Sequence, residues 1–303
     1  MTESTAYRPE LFRGRYRTIS LLGRGGLSEV FRAHDEFLDR DVAVKVFTAN
    51  ATIDSDLTRQ QDEINLVAKL NHPNLVTLLD AVIDRSDEHN PQIYYVMELV
   101  EGGSLKEHLD RTTLSPRQVA QVGYDIATAL EHIHHLGIVH RDIKPANILL
   151  TKRPHMDSRL SAKLSDFGVA SIGSTGPIDS DQLVTGTVAY LSPEQAMGDA
   201  VGPASDVYSL GLVLLQCFTG ELAFPGPPDD SAAARLVSDA PIPDWVPQEW
   251  TRLLAAMTHR TPEQRPDSRE AAFTLRELFA SEIGRHRSPE MAPEMAEDSA
   301  TAS

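Results

Sequence analysis

The hydrophobic period of this chain changes about a third of the way along, and that change limits what the chain can fold into. Up to about residue 100 apolar residues come mostly in runs and alternations suited to strands. Past Glu101-Gly102-Gly103 they recur at helical spacing. In DVAVKVF (41–47), Val42, Val44 and Val46 share one face of a strand, and Ala43 and Lys45 the other. Within the strand-rich third, 54–70 reads as a helix with Leu57, Ile64, Val67 and Leu70 on one stripe, stopped by NHP at 71–73. NLVTLLDAVID and QIYYVMELV add two strands around the polar loop RSDEHNP. Beyond residue 103, Ser115-Pro116 reads as an N-cap and a first-position proline. That helix runs to about His135 and closes at Gly137, and later helices are predicted over 205–219, 248–258 and near 268–283. The sum is two lobes joined by a short glycine-containing hinge, with a cleft at the seam.

Charge narrows the partners. The 303 residues carry 44 acids against 28 bases, a formal charge of −16, which repels phosphate backbones and anionic lipid. General nucleic-acid or membrane-surface binding is therefore not expected. A single cysteine, Cys217, cannot form an intramolecular disulfide and reads as packing in an apolar helix. The most apolar stretch, 210–218, is broken by Gly211 and Gln216 and falls short of a membrane span. The first residues lack the apolar core of a secretory signal, so a cytoplasmic location is expected.

Four short strings carry candidate chemistry. Leu22-Gly23-Arg24-Gly25-Gly26-Leu27-Ser28-Glu29-Val30 places glycines between two strands, where a backbone can approach a polyphosphate and offer N–H groups to it. A plain hairpin fits that string as well. Lys45 is either a solvated edge lysine or a cleft-facing cation in need of an anion, which Glu63, 18 residues on, or a nucleotide phosphate could supply. His140-Arg141-Asp142-Ile143-Lys144-Pro145-Ala146-Asn147 sets polar groups between two apolar runs, and Asp166-Phe167-Gly168 follows the strand-like Ala162-Lys163-Leu164.

Taken together, their order and spacing resemble the eukaryotic-like bacterial Ser/Thr protein kinases, with phrases such as GTVAYLSPEQA and SDVYSLG closest to actinobacterial members. The resemblance runs from Tyr16 to about residue 283. It implies an α+β, bilobal protein-kinase-like fold: a five-stranded antiparallel sheet plus one helix over 15–98, a hinge at 98–102 and a mainly helical lobe over 103–283. Residues 1–14 are expected to be flexible and 284–303 a disordered acidic tail. It also implies ATP and Mg2+. Gly23, Gly25 and Gly26 would cover the phosphates, and Lys45 would hold the α and β phosphates while paired with Glu63. Asp142 would orient or deprotonate the acceptor hydroxyl, Lys144 would neutralise transferring charge, and Asn147 and Asp166 would bind Mg2+. Leu22, Val30 and Ala43 above and Leu149 below would sandwich adenine. Met97 would lie behind it, and the backbones of Glu98 and Val100 would bond it. Lys144 with Thr187 points to the Ser/Thr subclass. Glu194–Arg265 would be a structural ion pair, and Asp206 a clamp on the catalytic loop.

Implied partners are protein substrates with Ser or Thr acceptors and a possible second copy through the smaller lobe. A pseudokinase scaffold and a small-molecule phosphotransferase are the alternatives. The sequence departs from the family at Ser28, which stands where a third glycine is common. The 29-residue segment 166–194 also holds no Lys or Arg. Asp179 and Asp181 there read either as phosphate mimics facing Arg141 or as a solvated acidic loop. His132, His134 and His135 read as core or surface residues, and FPGPPDD (224–230) as a loop.

Overall fold

Valines alternating with smaller or charged residues should bury one side of a strand, and Val42 and Val44 are both fully buried in the smaller of the two main cores. The computed structural model describes residues 11–12, 14–25, 28–47, 69–84, 92–152, 160–166 and 188–287. Six antiparallel strands form the first sheet: β1 (Leu11–Phe12), β2 (Tyr16–Arg24), β3 (Ser28–Asp35), β4 (Arg40–Phe47), β5 (Leu78–Asp84) and β6 (Gln92–Glu98). Their order is β1-β2-β3-β4-β6-β5. The five expected strands are β2 to β6. The sixth, β1, falls in the stretch expected to be loose, and there Phe12 joins Tyr16 and Tyr94 in the core. One aromatic side chain with a core to enter is enough to tie down a terminal segment that composition alone marks as polar. Of the helix expected over 54–70, residues 54–68 lie outside the described residues, as do 1–10 and 288–303; Leu70 is described and is buried in the larger core.

The larger lobe follows its capping signals. The described residues hold α1 (Leu105–Leu109), α2 (Pro116–His135), α3 (Pro193–Met197), α4 (Pro203–Thr219), α5 (Pro228–Val237), α6 (Gln248–Met257) and α7 (Ser268–Arg287), with the ribbon β7 (Ile148–Lys152) and β8 (Leu160–Leu164). Ser115 caps α2 in a reciprocal box with Gln118 and Pro116 begins the helix, while Gly137 adopts φ 75° just past the helix end. Helix α4 is buried on almost every side, as its apolar run predicts, and packs with α2, α6 and α7 into the main core around Trp250. Cys217 is fully buried there and its thiol is pushed up to about 12 by burial, which fits packing. FPGPPDD is not all loop, because Pro228 opens α5 with Asp229 and Asp230 in its first turn. Proline and acids suit a helix N-terminus. No helix among the described residues is long and apolar enough to cross a membrane.

The link between lobes is held by close backbone packing. A Cβ on Gly102 would lie 1.7 Å from the Leu150 carbonyl oxygen on β7, and the next residue, Gly103, accepts the Leu150 N–H at 2.9 Å. Gly102→Ala must therefore push the hinge off β7. We expect a loss of about 1–3 kcal/mol, read as a melting temperature lower by several degrees in calorimetry. An unchanged melting temperature would contradict the contact.

Candidate active site

The catalytic-loop string folds around one carboxylate. Asp206, buried on α4, accepts the main-chain N–H of His140 and of Arg141 at 2.8 Å each, and His134 Nε2 from α2 also lies 2.8 Å from it. A carboxylate only accepts, so Nε2 carries the imidazole proton, leaving Nδ1 to Ser268 Oγ at 3.2 Å. These bonds hold Arg141 at φ 66°, in the left-handed region. Such a conformation costs about 1–3 kcal/mol in a non-glycine residue and persists only where the surroundings enforce it. Asp166 is the second such residue at the site, with φ 59°. His140 joins the two: its Nε2 donates to the Ser165 carbonyl at 3.0 Å and its Nδ1 accepts the Asp142 N–H at 3.3 Å.

Asp142 is thereby presented with its two oxygens in different states. Oδ2 meets Lys144 Nζ at 2.8 Å and Asn147 Nδ2 at 2.9 Å. Oδ1 is buried and has no hydrogen-bond partner among the described residues. An unpaired buried acceptor is costly and marks a place where a ligand donor fits. Asn147 Nδ2 also donates to the Asp142 carbonyl at 2.8 Å, which leaves the amide oxygen of Asn147 an acceptor with no hydrogen-bond donor among the described residues. Asn147 sits in a 3-10 turn, Pro145–Asn147, that leads into β7, and its carbonyl accepts both Ser165 N–H and Oγ. Pairing of Ile148 with Leu164 then sets Asp166 beside it.

From the other lobe, Lys45 on β4 reaches Asp166 Oδ1 with Nζ at 2.6 Å, over 121 residues of chain. Lys45 is therefore cleft-facing, and of the two readings open to it, the solvated edge is excluded by a side chain only 15% exposed. Its strand neighbours are Val30 on β3 and Tyr95 on β6, while Ala43 pairs with Met97. The described residues of the glycine string end β2 and begin β3, with a register shift at Gly23, an Arg24–Glu29 ion pair at 2.8 Å, and the Gly25 N–H donated to the Ser28 carbonyl at 2.7 Å. Ala43 is nearly buried, Val30, Met97, Glu98, Val100 and Leu149 are half-buried, and Leu22 is exposed. Gly26, Leu27, Glu63, Thr187, Asp179 and Asp181 lie outside the described residues.

Other parts of the site escaped the sequence. His134, expected as a core or surface residue, is a largely buried one that also buttresses Asp206. Asp125 lies on the apolar stripe of α2 and accepts the Ala162 N–H at 2.8 Å and Ser161 Oγ at 3.1 Å, tying the helix to β8. An acid within a stripe of Val122, Ile126 and Ala129 was a visible signal for a buried acceptor. Arg235 on α5 is fully buried and donates to the carbonyls of Leu191, Ala189 and Ser231, so the residues just before Glu194 rest on α5. Burial pushes its pKa down. Glu194 and Arg265 form the expected pair, at 2.7 and 2.8 Å. Among the described residues no cluster of His, Cys, Asp or Glu has metal-binding geometry on its own.

Comparison with known proteins agrees with this arrangement. The protein kinase domain model matches residues 16–274. The chain is 36% identical over 264 residues to the serine/threonine-protein kinase PrkC of Bacillus subtilis, covering 85% of this chain and 39% of PrkC. It is 41% identical over 233 residues to the serine/threonine-protein kinase PknB of Mycobacterium leprae, covering 76% of this chain and 36% of PknB. A probable PknB of Bifidobacterium longum is 37% identical over 265 residues, covering 83% of this chain and 38% of that protein. The chain thus matches less than two fifths of the length of each of these relatives. Because the matched region runs from β2 into α7 and takes in every group that meets at the cleft, the chain belongs to the protein kinase family.

Proposed function

We propose that this chain is the catalytic part of an ATP-dependent serine/threonine protein kinase, phosphorylating protein acceptors and itself. The observation that carries the reading is the 2.6 Å meeting of Lys45 and Asp166 together with an Asp142 Oδ1 that has no hydrogen-bond partner among the described residues. Asp142 Oδ1 takes the hydrogen of a serine or threonine hydroxyl and aims its oxygen at the γ-phosphorus. The new O–P bond forms as the bond from phosphorus to the bridging oxygen breaks. ADP leaves with that electron pair, and the hydroxyl proton passes to Asp142 or to water. Alignment supplies most of the acceleration in such a reaction, which suits a carboxylate fixed by Lys144 and Asn147. Lys144 also balances charge on the group in transit.

Lys45, partnered by Glu63, holds the α and β phosphates, with Gly23, Gly25 and Gly26 over them. Leu22, Val30, Ala43 and Leu149 enclose adenine, which bonds the main chain of Glu98 and Val100 in front of Met97. The Asn147 amide oxygen and the Asp166 carboxylate are hard oxygen donors of the kind Mg2+ takes, so the residues fit that ion. Bound there, Mg2+ neutralises phosphate charge. Thr187 marks preference for aliphatic hydroxyls. A net charge of −16 disfavours nucleic acid as a partner. A role in cytoplasmic signalling, and pairing of two copies through the smaller lobe, belong to the same proposal.

Incubation with Mg2+, γ-labelled ATP and a Ser/Thr peptide tests it. Label should appear on hydroxyls of peptide and protein, and Lys45→Met should cut the rate by about a hundredfold or more. A nucleotide-binding scaffold would leave all acceptors unlabelled, and that result would overturn the reading.

A further inference from the structure

Lys163 lies on β8, three residues before Asp166, and has no place in the transfer chemistry described so far. Its Nζ donates to Glu98 Oε1 at 2.6 Å and reaches the Leu75 carbonyl at 3.4 Å. The same Glu98 oxygen accepts the Thr77 N–H at 2.9 Å, and the Glu98 N–H is donated to the Thr77 carbonyl at 3.0 Å. The stretch 74–77 is in turn laced to β8. Leu164 N–H meets the Asn74 carbonyl at 2.8 Å, Val76 N–H meets the Leu164 carbonyl at 2.9 Å, and Asn74 Nδ2 reaches the Ala162 carbonyl at 2.9 Å. The end of β6, the stretch 74–77 and β8 therefore form one block, with Asp166 at one margin and the hinge at the other. The ion pair in its middle is mostly shielded, its side chains 20% and 29% exposed. Shielded charges that also hold main-chain groups act on geometry as well as on stability, unlike pairs at the rim.

We propose that Lys163 is a positioning residue for the nucleotide: it acts through Glu98 to keep the hinge main chain in register with Asp166. The assignment rests on the nucleotide reading above. Without the ammonium, the Glu98 carboxylate keeps only the Thr77 N–H in a half-buried place and turns toward water. The last residues of β6 are then free to shift against β8, so the adenine and phosphate ends of one ligand no longer match their seats together.

Titration calorimetry with Mg2+–ADP, using the whole chain, tests this. Lys163→Met should raise the Kd about tenfold, equivalent to about 1.4 kcal/mol. Lys163→Arg should restore it to within about twofold. In a Glu98→Gln background, where the partner charge is already gone, Lys163→Met should add little, giving a non-additive cycle. The KM for ATP should follow the Kd, with the KM for acceptor peptide unmoved. If Lys163→Met does not fold, Glu98→Gln alone is read, and a Kd raised by about threefold is expected from loss of the charge. A variant that melts lower yet binds Mg2+–ADP like wild type would overturn the assignment by showing a purely structural pair, as would equal loss in the Met and Arg variants. Wild-type protein that takes up no Mg2+–ADP would instead overturn the nucleotide reading, and this assignment with it.

Discussion

Asp142→Asn is expected to slow phosphoryl transfer by about a thousandfold, within the range seen when a positioned acid or base is lost, while Mg2+–ADP still binds. The reason lies in the unequal oxygens of Asp142. Oδ2 receives both Lys144 Nζ and Asn147 Nδ2. An asparagine would turn its single carbonyl oxygen toward those two donors, because its NH2 group cannot face them. Its NH2 group would then occupy the place of Oδ1, offering a donor where the acceptor hydroxyl needs an acceptor. The substitution also removes one negative charge next to Lys144. Single-turnover transfer to a peptide, measured beside ADP affinity, separates the two effects. Equal rates in Asp142→Asn and wild type would remove Asp142 from the chemistry. Weak ADP binding in the variant would point to collapse of the Lys144–Asn147 arrangement instead.

The short strings around Asp142 were legible through their resemblance to the kinase catalytic loop, and the geometry they adopt is largely local. Lys144-Pro145-Ala146-Asn147 closes a single turn, and the pairing of β7 with β8 follows within a few residues. The alternation at 41–47 likewise told which side of β4 enters the smaller core, and Ser115-Pro116 announced α2. What stayed hidden has partners far along the chain. His134 and Asp206 are 72 residues apart, and Lys163 and Glu98 are 65 apart. No period or cap encodes such a pair: Asp206 was expected to clamp the catalytic loop and Glu98 to lie at the hinge, but His134 and Lys163 look like ordinary polar residues until distant elements pack. Helix α5 was obscured for a different reason. Its N-terminal prolines are turn signals and helix-start signals at once, and only the burial of Arg235 and Ser231 tells which. The sixth strand was missed because two residues are too few to show a period.

Arg265→Leu should be the most damaging substitution for stability. The guanidinium makes parallel bonds to both oxygens of Glu194, at 2.7 and 2.8 Å, with the two side chains 0% and 6% exposed. Its remaining donors satisfy the carbonyls of His259, Ala204 and Arg260, and its face lies 4.8 Å from the Tyr208 ring centroid. Leucine fills much of the volume but leaves a buried carboxylate with Ser205 Oγ as its main side-chain donor. Breaking such a pair costs about 3–5 kcal/mol, a large part of the 5–15 kcal/mol typical of a folded domain. A melting temperature lower by about 10 °C or more follows. The pH dependence gives a second reading. Burial pushes the Glu194 carboxyl up, but the bonds from Arg265, then Ser205, outweigh it and hold the group below its ordinary 4.5. A depressed folded-state value means stability that is present above 4.5 and lost as pH falls through the lower folded value. In Arg265→Leu burial wins, so the carboxyl takes up a proton at higher pH and the variant loses less as the solution is acidified. Urea unfolding at pH 7 and pH 4 should therefore show a wide gap between wild type and variant that narrows in acid. A gap that is small at pH 7, or that widens at pH 4, would mean that Glu194 and Arg265 do not sustain the larger lobe as a pair.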